Sequence, residues 1–273
     1  MTNGIFACPV CKQLLEVSGN SLKCKNNHLF DISKRGYVNL LMSQNNSNHG
    51  DDKRMVISRR DFLNLGHYRK LADAVADKVL LYSFKDCKIL DIGCGEGYYT
   101  DIVLNSLISN NVQAEISGID ISKTALDYAC RRNNRINYAV ASAFSLPVPD
   151  NSQDLFMNIF APHDMSEVTR VMKNNGKIIM VFPRNRHLWE LKQLVYSNPY
   201  ENESPVPDFK GFHLVSDDSL SYSFELNSNE EILNLFDMTP YAYKTSEEDV
   251  QKLKSTDKLT VTADFRIAVL ERS

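Results

Sequence analysis

The 273-residue chain predicts an α/β protein, a doubly wound and mainly parallel sheet preceded by a small metal-stapled module. Three observations carry this. From Lys88 onward, short apolar runs alternate with helical patterns, the signature of parallel strands joined by right-handed crossovers. The glycine-rich stretch "DIGCGEG" (91–97) follows the first of those runs directly. Near the N-terminus, "CPVCKQLLEVSGNSLKCKNNH" (8–28) gathers three Cys and one His in a segment with almost no apolar core of its own.

In chain order, residues 6–40 form the small module; a unit of that size usually needs a metal or disulfides to hold together. "MSQNNSNHGDD" (42–52) is Asn-rich and reads as a flexible loop or linker. Residues 53–82 place Phe62, Leu65, Leu71, Val75 and Val79 at helical spacing, which predicts a helix broken near Gly66. "KILDI" is then the first strand, with the glycine turn opening a helix. "EISGID" is the second strand and "SKTALDYACRRN" a helix capped by Ser122. "INYAV" and "DLFMNIF" are the third and fourth strands. "DMSEVTRVMKNNG" is a helix and "KIIMVF" the fifth strand. "SNEEILNLFDM" offers a capping box from Ser228 to Glu231, and "KLTVTADFRIAVLER" a final strand. Residues 183–225 fit the alternation poorly and read as an insertion at the rim of the site, with one helix around "HLWELKQLVYS". The domain boundaries expected are 1–40 for the metal module, 41–82 for linker and helices, and 83–273 for the sheet domain.

Hydrophobic residues are 43% and charged residues 24%, enough for a sizeable core. No apolar run approaches the ~20 residues that cross a bilayer. "MTNGIFACPV" lacks a basic segment followed by an apolar one, so no secretory signal and no membrane partner are expected, and the expected compartment is the cytoplasm. In a reducing compartment the clustered cysteines argue for metal, not disulfides. Cys87, Cys94 and Cys130, scattered singly, read as ordinary buried residues.

The set Cys8-x2-Cys11, then Cys24-x3-His28, supplies three thiolates and one imidazole, a closed tetrahedral zinc site with no open position and hence a structural one. The glycines at 93, 95 and 97 are spaced G-x-G-x-G, not the G-x-G-x-x-G that aims a helix at a dinucleotide pyrophosphate. S-adenosylmethionine has no phosphate. It needs close backbone approach and an acid for its ammonium or ribose. Asp91 opens the loop, Asp120 ends the second strand where a carboxylate can accept both ribose hydroxyls, and Ser142 and Ala143 sit where an adenine edge would lie. These motifs, over about 88–182, resemble class I S-adenosylmethionine-dependent methyltransferases. That resemblance implies a Rossmann-like doubly wound sheet of seven strands with the last antiparallel, and a cofactor set that includes Glu96, Tyr98 and Ile121 beside Asp91, Gly93, Gly95, Gly97, Asp120, Ser142 and Ala143.

Net charge is −3 but uneven: residues 1–70 hold 11 Lys+Arg against 5 Asp+Glu, and the remainder 20 against 29. A basic front on an acidic body suggests a polyanionic partner met by the front. Lys12, Lys23, Lys25, Lys34, Arg35, Lys53, Arg54, Arg59 and Arg60 are the candidate phosphate contacts. The stretches "CPVCKQ", "HLFDISKRGYVNLL", "RRDFLNLGHY", "LDIGCGEGYYT", "FAP", "RHLWELK" and "DMTPYAY" together resemble the RlmA (RrmA/TlrB) family of bacterial 23S rRNA guanine-N1 methyltransferases. This resemblance implies that the zinc module and basic residues engage a hairpin of domain II of 23S rRNA, that Tyr68 and His187 help enclose the cofactor, and that the protein is a homodimer. RNA is read through shape, phosphates and splayed bases, which a rigid basic module can hold.

Guanine N1 carries a proton that must leave. In "NIFAPHD" (158–164), Asn158 is a candidate to orient the base, His163 or Asp164 to take the proton, and Phe160 and Pro162 to stack on it. Asp164 is equally placed to cap the next helix. Two other readings use the same residues: a small-molecule methyltransferase with zinc as scaffold, and a zinc-ribbon RNA-binding protein whose methyltransferase domain is inactive.

Overall fold

In a computed structural model of the chain, residues 1–2, 4–42, 52–243 and 245–273 are described. The expected linker over 42–52 falls mostly outside them. The N-terminal module is a small antiparallel sheet of β1 (Glu16–Ser18), β2 (Ser21–Lys23) and β3 (Leu29–Asp31), followed by β4 (Val38–Asn39). Helices α1 (Lys53–Asn64) and α2 (Arg69–Tyr82) follow, separated at Gly66, whose φ of +84° suits a residue without Cβ. Phe62, Leu71, Val75 and Val79 are fully buried as their spacing requires, whereas Leu65 is the exposed C-cap of α1.

The doubly wound part runs β5 (Cys87–Ile92), α3 (Tyr98–Ser109), β6 (Ala114–Asp120), α4 (Lys123–Arg132), β7 (Asn137–Val140), β8 (Gln153–Ile159), α5 (Met165–Val171), β9 (Met172–Pro183), α6 (Trp189–Val195), β10 (Phe212–Leu226), α7 (Asn229–Asp237), α8 (Glu247–Lys254) and β11 (Leu259–Arg272). The sheet order is β10-β11-β9-β8-β5-β6-β7-β4. From β4 to β9 all neighbours are parallel; β11 runs antiparallel to both β9 and β10. Seven strands with the last antiparallel are thus present, in the order of the class I methyltransferase fold.

Three features differ from the expectation. The helix expected over 164–176 stops at Val171, and residues 172–176 open β9, where Met172 pairs with Gln153. Residues 212–226, assigned to a rim insertion, form the long edge strand β10. Its run of Ser and Asp faces water on an edge with one neighbour, so it lacks the apolar alternation of a half-buried strand. The eighth strand, β4, comes from the N-terminal module: Val38 pairs with Ala139 and Asn39 with Val140. The module also shares a core with the sheet. Phe6, Leu15, Leu22, Val38 and Leu40 pack in one cluster with Leu90, Ile92, Ile119 and Ala139, and Ala7 N–H donates to the Pro147 carbonyl.

Local capping follows the sequence. Ser122 accepts from Ala125 N–H, and Ser228 from Glu231 N–H while the Glu231 carboxylate accepts from Asn227 N–H. Cys87, Cys94 and Cys130 are buried free thiols, and burial pushes Cys130 up to about 11. Among the described residues no helix is long and apolar enough to cross a membrane.

Candidate active site and metal centre

The ligand atoms of Cys8, Cys11, Cys24 and His28 all lie within 4.8 Å of one another. The separations are 3.5 Å from Cys8 Sγ to His28 Nδ1, 3.6 Å from Cys11 Sγ to Cys24 Sγ and 3.4 Å from Cys24 Sγ to His28 Nδ1. Tetrahedral zinc with ordinary Zn–S and Zn–N bonds has ligand–ligand edges of roughly 3.5–3.8 Å, so the set fits zinc. Two tight turns present it: Lys12 N–H donates to the Cys8 carbonyl and Asn27 N–H to that of Cys24, with Lys12 and Asn27 at φ of +61° and +65°. Four protein ligands leave no open position, which makes the zinc structural.

The second site lies at the carboxyl ends of β5, β6, β7, β8 and β9, where the strand order reverses. A cavity of ≈ 810 Å³ opens there. Its walls include Tyr68, Asp91, Gly93, Gly95, Glu96, Asp120, Ile121, Ser142, Ala143, Asn158, His163 and His187. Of the residues expected at the cofactor, Gly97 and Tyr98 do not line it. Gly97 starts α3 at φ +81°, and a Cβ there would meet the Tyr138 hydroxyl at 2.9 Å and Ala129 Cβ at 3.1 Å. Tyr98 is buried under the Arg132 guanidinium, and its neighbour Tyr99 reaches the cavity instead.

The glycine loop is held by Asp120. Gly95 N–H donates to Oδ2 at 2.9 Å and Ser122 N–H to Oδ1 at 2.7 Å, so the carboxylate is fixed at the wall. Gly93 has a different reason for being glycine. A Cβ there would lie 2.3 Å from Ala161 Cβ, because the loop after β8 packs directly on the glycine loop. Asp91 is buried and accepts a 2.5 Å bond from Thr100 Oγ1; burial pushes its carboxyl up to about 7 despite that bond. Glu96 is also buried, and burial raises it, with Arg132 at 3.3 Å and Arg59 opposing the rise.

The opposite wall is aromatic. His187 lies 4.6 Å from Phe265, 6.2 Å from Tyr68 and 6.4 Å from Phe160, between ring centroids. Burial, with Lys192 nearby, pushes His187 down to about 3, so it is neutral. Asp264 N–H donates to its Nδ1 at 3.3 Å, which leaves the proton on Nε2. The Tyr68 hydroxyl is buried without a hydrogen-bond partner while the residue lines the cavity. A buried orphan of this kind marks a place for a bound polar group. Neutral aromatic walls, a backbone cradle and acidic groups suit S-adenosylmethionine, a cation with a nucleoside.

After β8 the chain makes a tight loop with Phe160 at φ +64°. Asn158 is clamped by one residue: Ala161 N–H donates to its Oδ1 at 3.1 Å and its Nδ2 donates to the Ala161 carbonyl at 3.0 Å. This fixes the amide orientation; His163 Nδ1 lies 3.0 Å from that Nδ2 and 3.3 Å from the Ala161 carbonyl, accepting from the amide in one tautomer and donating to the carbonyl in the other. His163 lines the cavity, so its ring is available to a ligand there. Asp164 is the N-cap of α5. It accepts from the Ser166 N–H and hydroxyl, both at 2.7 Å, those bonds hold its carboxyl below the ordinary range, and it is not part of the cavity wall.

The candidate phosphate contacts divide in two. Lys12, Lys23, Lys25, Lys34, Arg35 and Lys53 are exposed. Arg54 forms a bidentate pair with Asp237, Arg60 pairs with Asp61 over the Tyr128 ring, and Arg59 lines the cavity and donates to the Met238 carbonyl. The wall also holds Tyr196, Tyr200, Asn202 and Tyr241, which sequence reading did not select. Tyr196, Tyr200 and Asn202 are close in sequence, and tertiary packing brings Tyr241 to them.

The zinc-ribbon family described as RlmA, N-terminal, matches residues 6–48, and a methyltransferase domain family matches residues 83–254. YxjB of Bacillus subtilis (strain 168), provisionally named a 23S rRNA (guanine-N(1)-)-methyltransferase, is 30% identical over 276 residues, covering 97% of this chain and 96% of its own. A protein of Micromonospora griseorubida under the same provisional name is 30% identical over 96% of this chain and 95% of its own. The 23S rRNA (guanine(748)-N(1))-methyltransferase of Streptomyces fradiae is 34% identical over 67% of this chain and 65% of its own. With both modules matched in order and relatives aligned along nearly the whole length, the chain belongs to the RlmA family of S-adenosylmethionine-dependent 23S rRNA (guanine-N1-)-methyltransferases.

Proposed function

We propose that the protein methylates N1 of a guanine in a hairpin of domain II of 23S rRNA. The observation that carries this reading is a single sheet that bears two sites. A cofactor-sized cavity opens at its strand ends, and a zinc module with exposed basic residues joins its edge through β4. Residues 1–40 are the RNA-recognition module, 41–82 the connecting segment and helices, and 83–273 the methyl-transfer domain. The protein works in the cytoplasm as a homodimer.

S-adenosylmethionine supplies a methyl group on an already activated sulfonium, so the chain mostly positions. Gly93 and Gly95 give close backbone approach, Asp120 accepts from the ribose, and Asp91 and Glu96 lie where a bound cation would draw them into their ionised forms. Ser142, Ala143 and Ile121 flank the adenine. Tyr68 and His187 close the aromatic wall. Asn158 and His163 face the acceptor. His163 takes the proton that leaves guanine N1 and passes it to solvent. Asp164 serves this loop as a cap.

The test is direct. Purified protein, methyl-labelled S-adenosylmethionine and protein-free 23S rRNA are combined and the RNA is digested to nucleosides. Label in N1-methylguanosine is expected. Label in another nucleoside, or transfer only to small molecules, would refute the proposal.

A further inference from the structure

The cavity wall also holds a group of residues that the proposal above leaves without a role. Tyr196 lies 6.2 Å from Tyr200 with planes at 23°, and 5.8 Å from Tyr241 at 77°. The three come from separate places: the C-cap of α6, the segment after it, and the 3₁₀ turn Pro240–Tyr243 behind α7. Tyr200 is 58% exposed and reachable from solvent. The Tyr196 hydroxyl, by contrast, is buried with no hydrogen-bond partner.

Behind these rings Lys192 is fully buried. Its ammonium donates to the Tyr200 carbonyl at 3.0 Å and to Asn202 Oδ1 at 2.6 Å, and lies 4.5 Å and 5.7 Å from the ring centroids of Tyr200 and Tyr241. Among the described residues no carboxylate pairs with it, and burial lowers its affinity for the proton. A buried cation without a counter-ion is costly, offset here by two oxygens and two π faces. Asn202 passes the restraint on: its Nδ2 donates to the Arg184 carbonyl at 2.9 Å and to that of His187 at 3.4 Å. Lys192 and Asn202 therefore tie the tyrosine wall to the turn that carries His187.

We infer that the tyrosine-walled end of the cavity is the acceptor-base pocket, where a guanine rotated out of the RNA stacks against Tyr200 and Tyr241 with the Tyr196 hydroxyl as its polar handle, and that Lys192 is the positioning residue that holds this wall. The inference rests on the rRNA reading. An enzyme that modifies a base edge must take that base out of its stack, and splayed bases are held on aromatic faces. The cavity is in the range that holds a nucleoside cofactor and leaves room beyond it. The orphan phenol gives a planar ligand something to hydrogen-bond, and the exposed Tyr200 gives it a way in.

The experiment pairs methyl-transfer kinetics on 23S rRNA with S-adenosylmethionine affinity by calorimetry. Tyr200→Ala should lower kcat/KM for rRNA by about 5- to 150-fold, the effect of one lost base–aromatic stack, with cofactor affinity held. Tyr200→Phe keeps the ring and should recover most of the loss. In rRNA carrying 6-thioguanosine, irradiation should crosslink the peptide containing Tyr196 and Tyr200 or the one containing Tyr241. Lys192→Met should reduce that crosslink by a larger factor than it weakens cofactor binding through the His187 turn, and Lys192→Arg should restore it. Equal kinetics for wild type and Tyr200→Ala, or crosslinks confined to other segments, would overturn the inference while leaving the rRNA reading intact. If the wild type transfers no methyl to rRNA, both fall.

Discussion

Two parts of the cavity wall, here called its glycine-loop end and its tyrosine end, are built by different means. At the glycine-loop end, main-chain geometry makes the wall: Gly93 and Gly95 at positive φ, and Asp120 gripping backbone N–H groups of residues 95 and 122. At the tyrosine end, side chains make it, hung on Lys192 and Asn202. A backbone wall on the ends of a buried parallel sheet has one shape and suits a ligand that never changes. A wall of rings on connecting segments can adjust to a base delivered by a large, folded partner. The zinc module belongs mechanically with the first end, because Phe6, Leu22 and Val38 share a core with Leu90, Ile92 and Ile119 of β5 and β6.

The largest effect that would test this comparison is metal removal. Zinc binding contributes on the order of 10 kcal/mol to the folding of small zinc modules. Chelation, or Cys11→Ser, should abolish amide-exchange protection across residues 6–40 and lower the Tm of the whole protein through the shared core, while β5, β6 and β8 stay protected. Metal analysis of freshly purified protein should give about one zinc per chain. Full protection of the module without metal would break the account of how it is held.

Next come the two glycines, which separate crowding from conformational strain. Gly93→Ala meets Ala161 as well as an unfavourable φ, whereas Gly95→Ala meets open space at φ +57° and carries strain alone. Left-handed backbone costs about 1–2 kcal/mol for an ordinary residue, and overpacking adds roughly 1–3 kcal/mol. Denaturant unfolding without cofactor should therefore rank Gly93→Ala clearly below Gly95→Ala. Equal losses would mean that the two loops do not press on each other.

Asp91 makes a pH-dependent prediction. Its folded-state pKa of about 7 lies above the unfolded value, so the native state holds the proton longer. Stability from this group is present below the unfolded pKa near 4 and is lost as pH rises through about 7. Asp91→Asn keeps a neutral group and should flatten this slope. Urea unfolding between pH 5 and 8 should show the wild type losing up to a few kcal/mol relative to the variant; parallel curves would contradict the assignment.

The smallest expected effect concerns the exposed charges. Lys34→Ala with Arg35→Ala should flatten the log–log salt dependence of rRNA affinity by roughly 0.7–0.9 per lost phosphate contact, with cofactor affinity unchanged. Arg59 is unsuited to this test because it lines the cavity. An unaltered salt slope would remove the module from the RNA interface.

Legibility in the sequence follows the same division. The zinc ligands could be read because metal chemistry fixes ligand type and spacing within a turn, and the structure brings all four together. Asp91, Gly93, Gly95 and Asp120 could be read because a strand, a tight turn and a second strand ending in acid are local patterns. β10 was hidden because "SDDSLS" sits on an edge strand with little apolar alternation. β4 was hidden because two residues, Val38 and Asn39, carry no period. The tyrosine wall was hidden for a third reason. Tyr241 joins Tyr196 and Tyr200 only by a tertiary contact, and nothing about a lysine on a short helix announces that Lys192 is buried.

Primer extension on 23S rRNA tests the central claim most directly, because N1-methylguanine blocks base pairing and halts the polymerase. RNA from a strain lacking this gene, from its parent and from the deletion strain carrying either wild type or Asp120→Ala would be compared. The account predicts a stop at one guanine of a domain II hairpin in the parent. That stop should vanish in the deletion strain, return with the wild-type gene, and weaken or remain missing with Asp120→Ala. Identical stops in the parent and the deletion strain would contradict it.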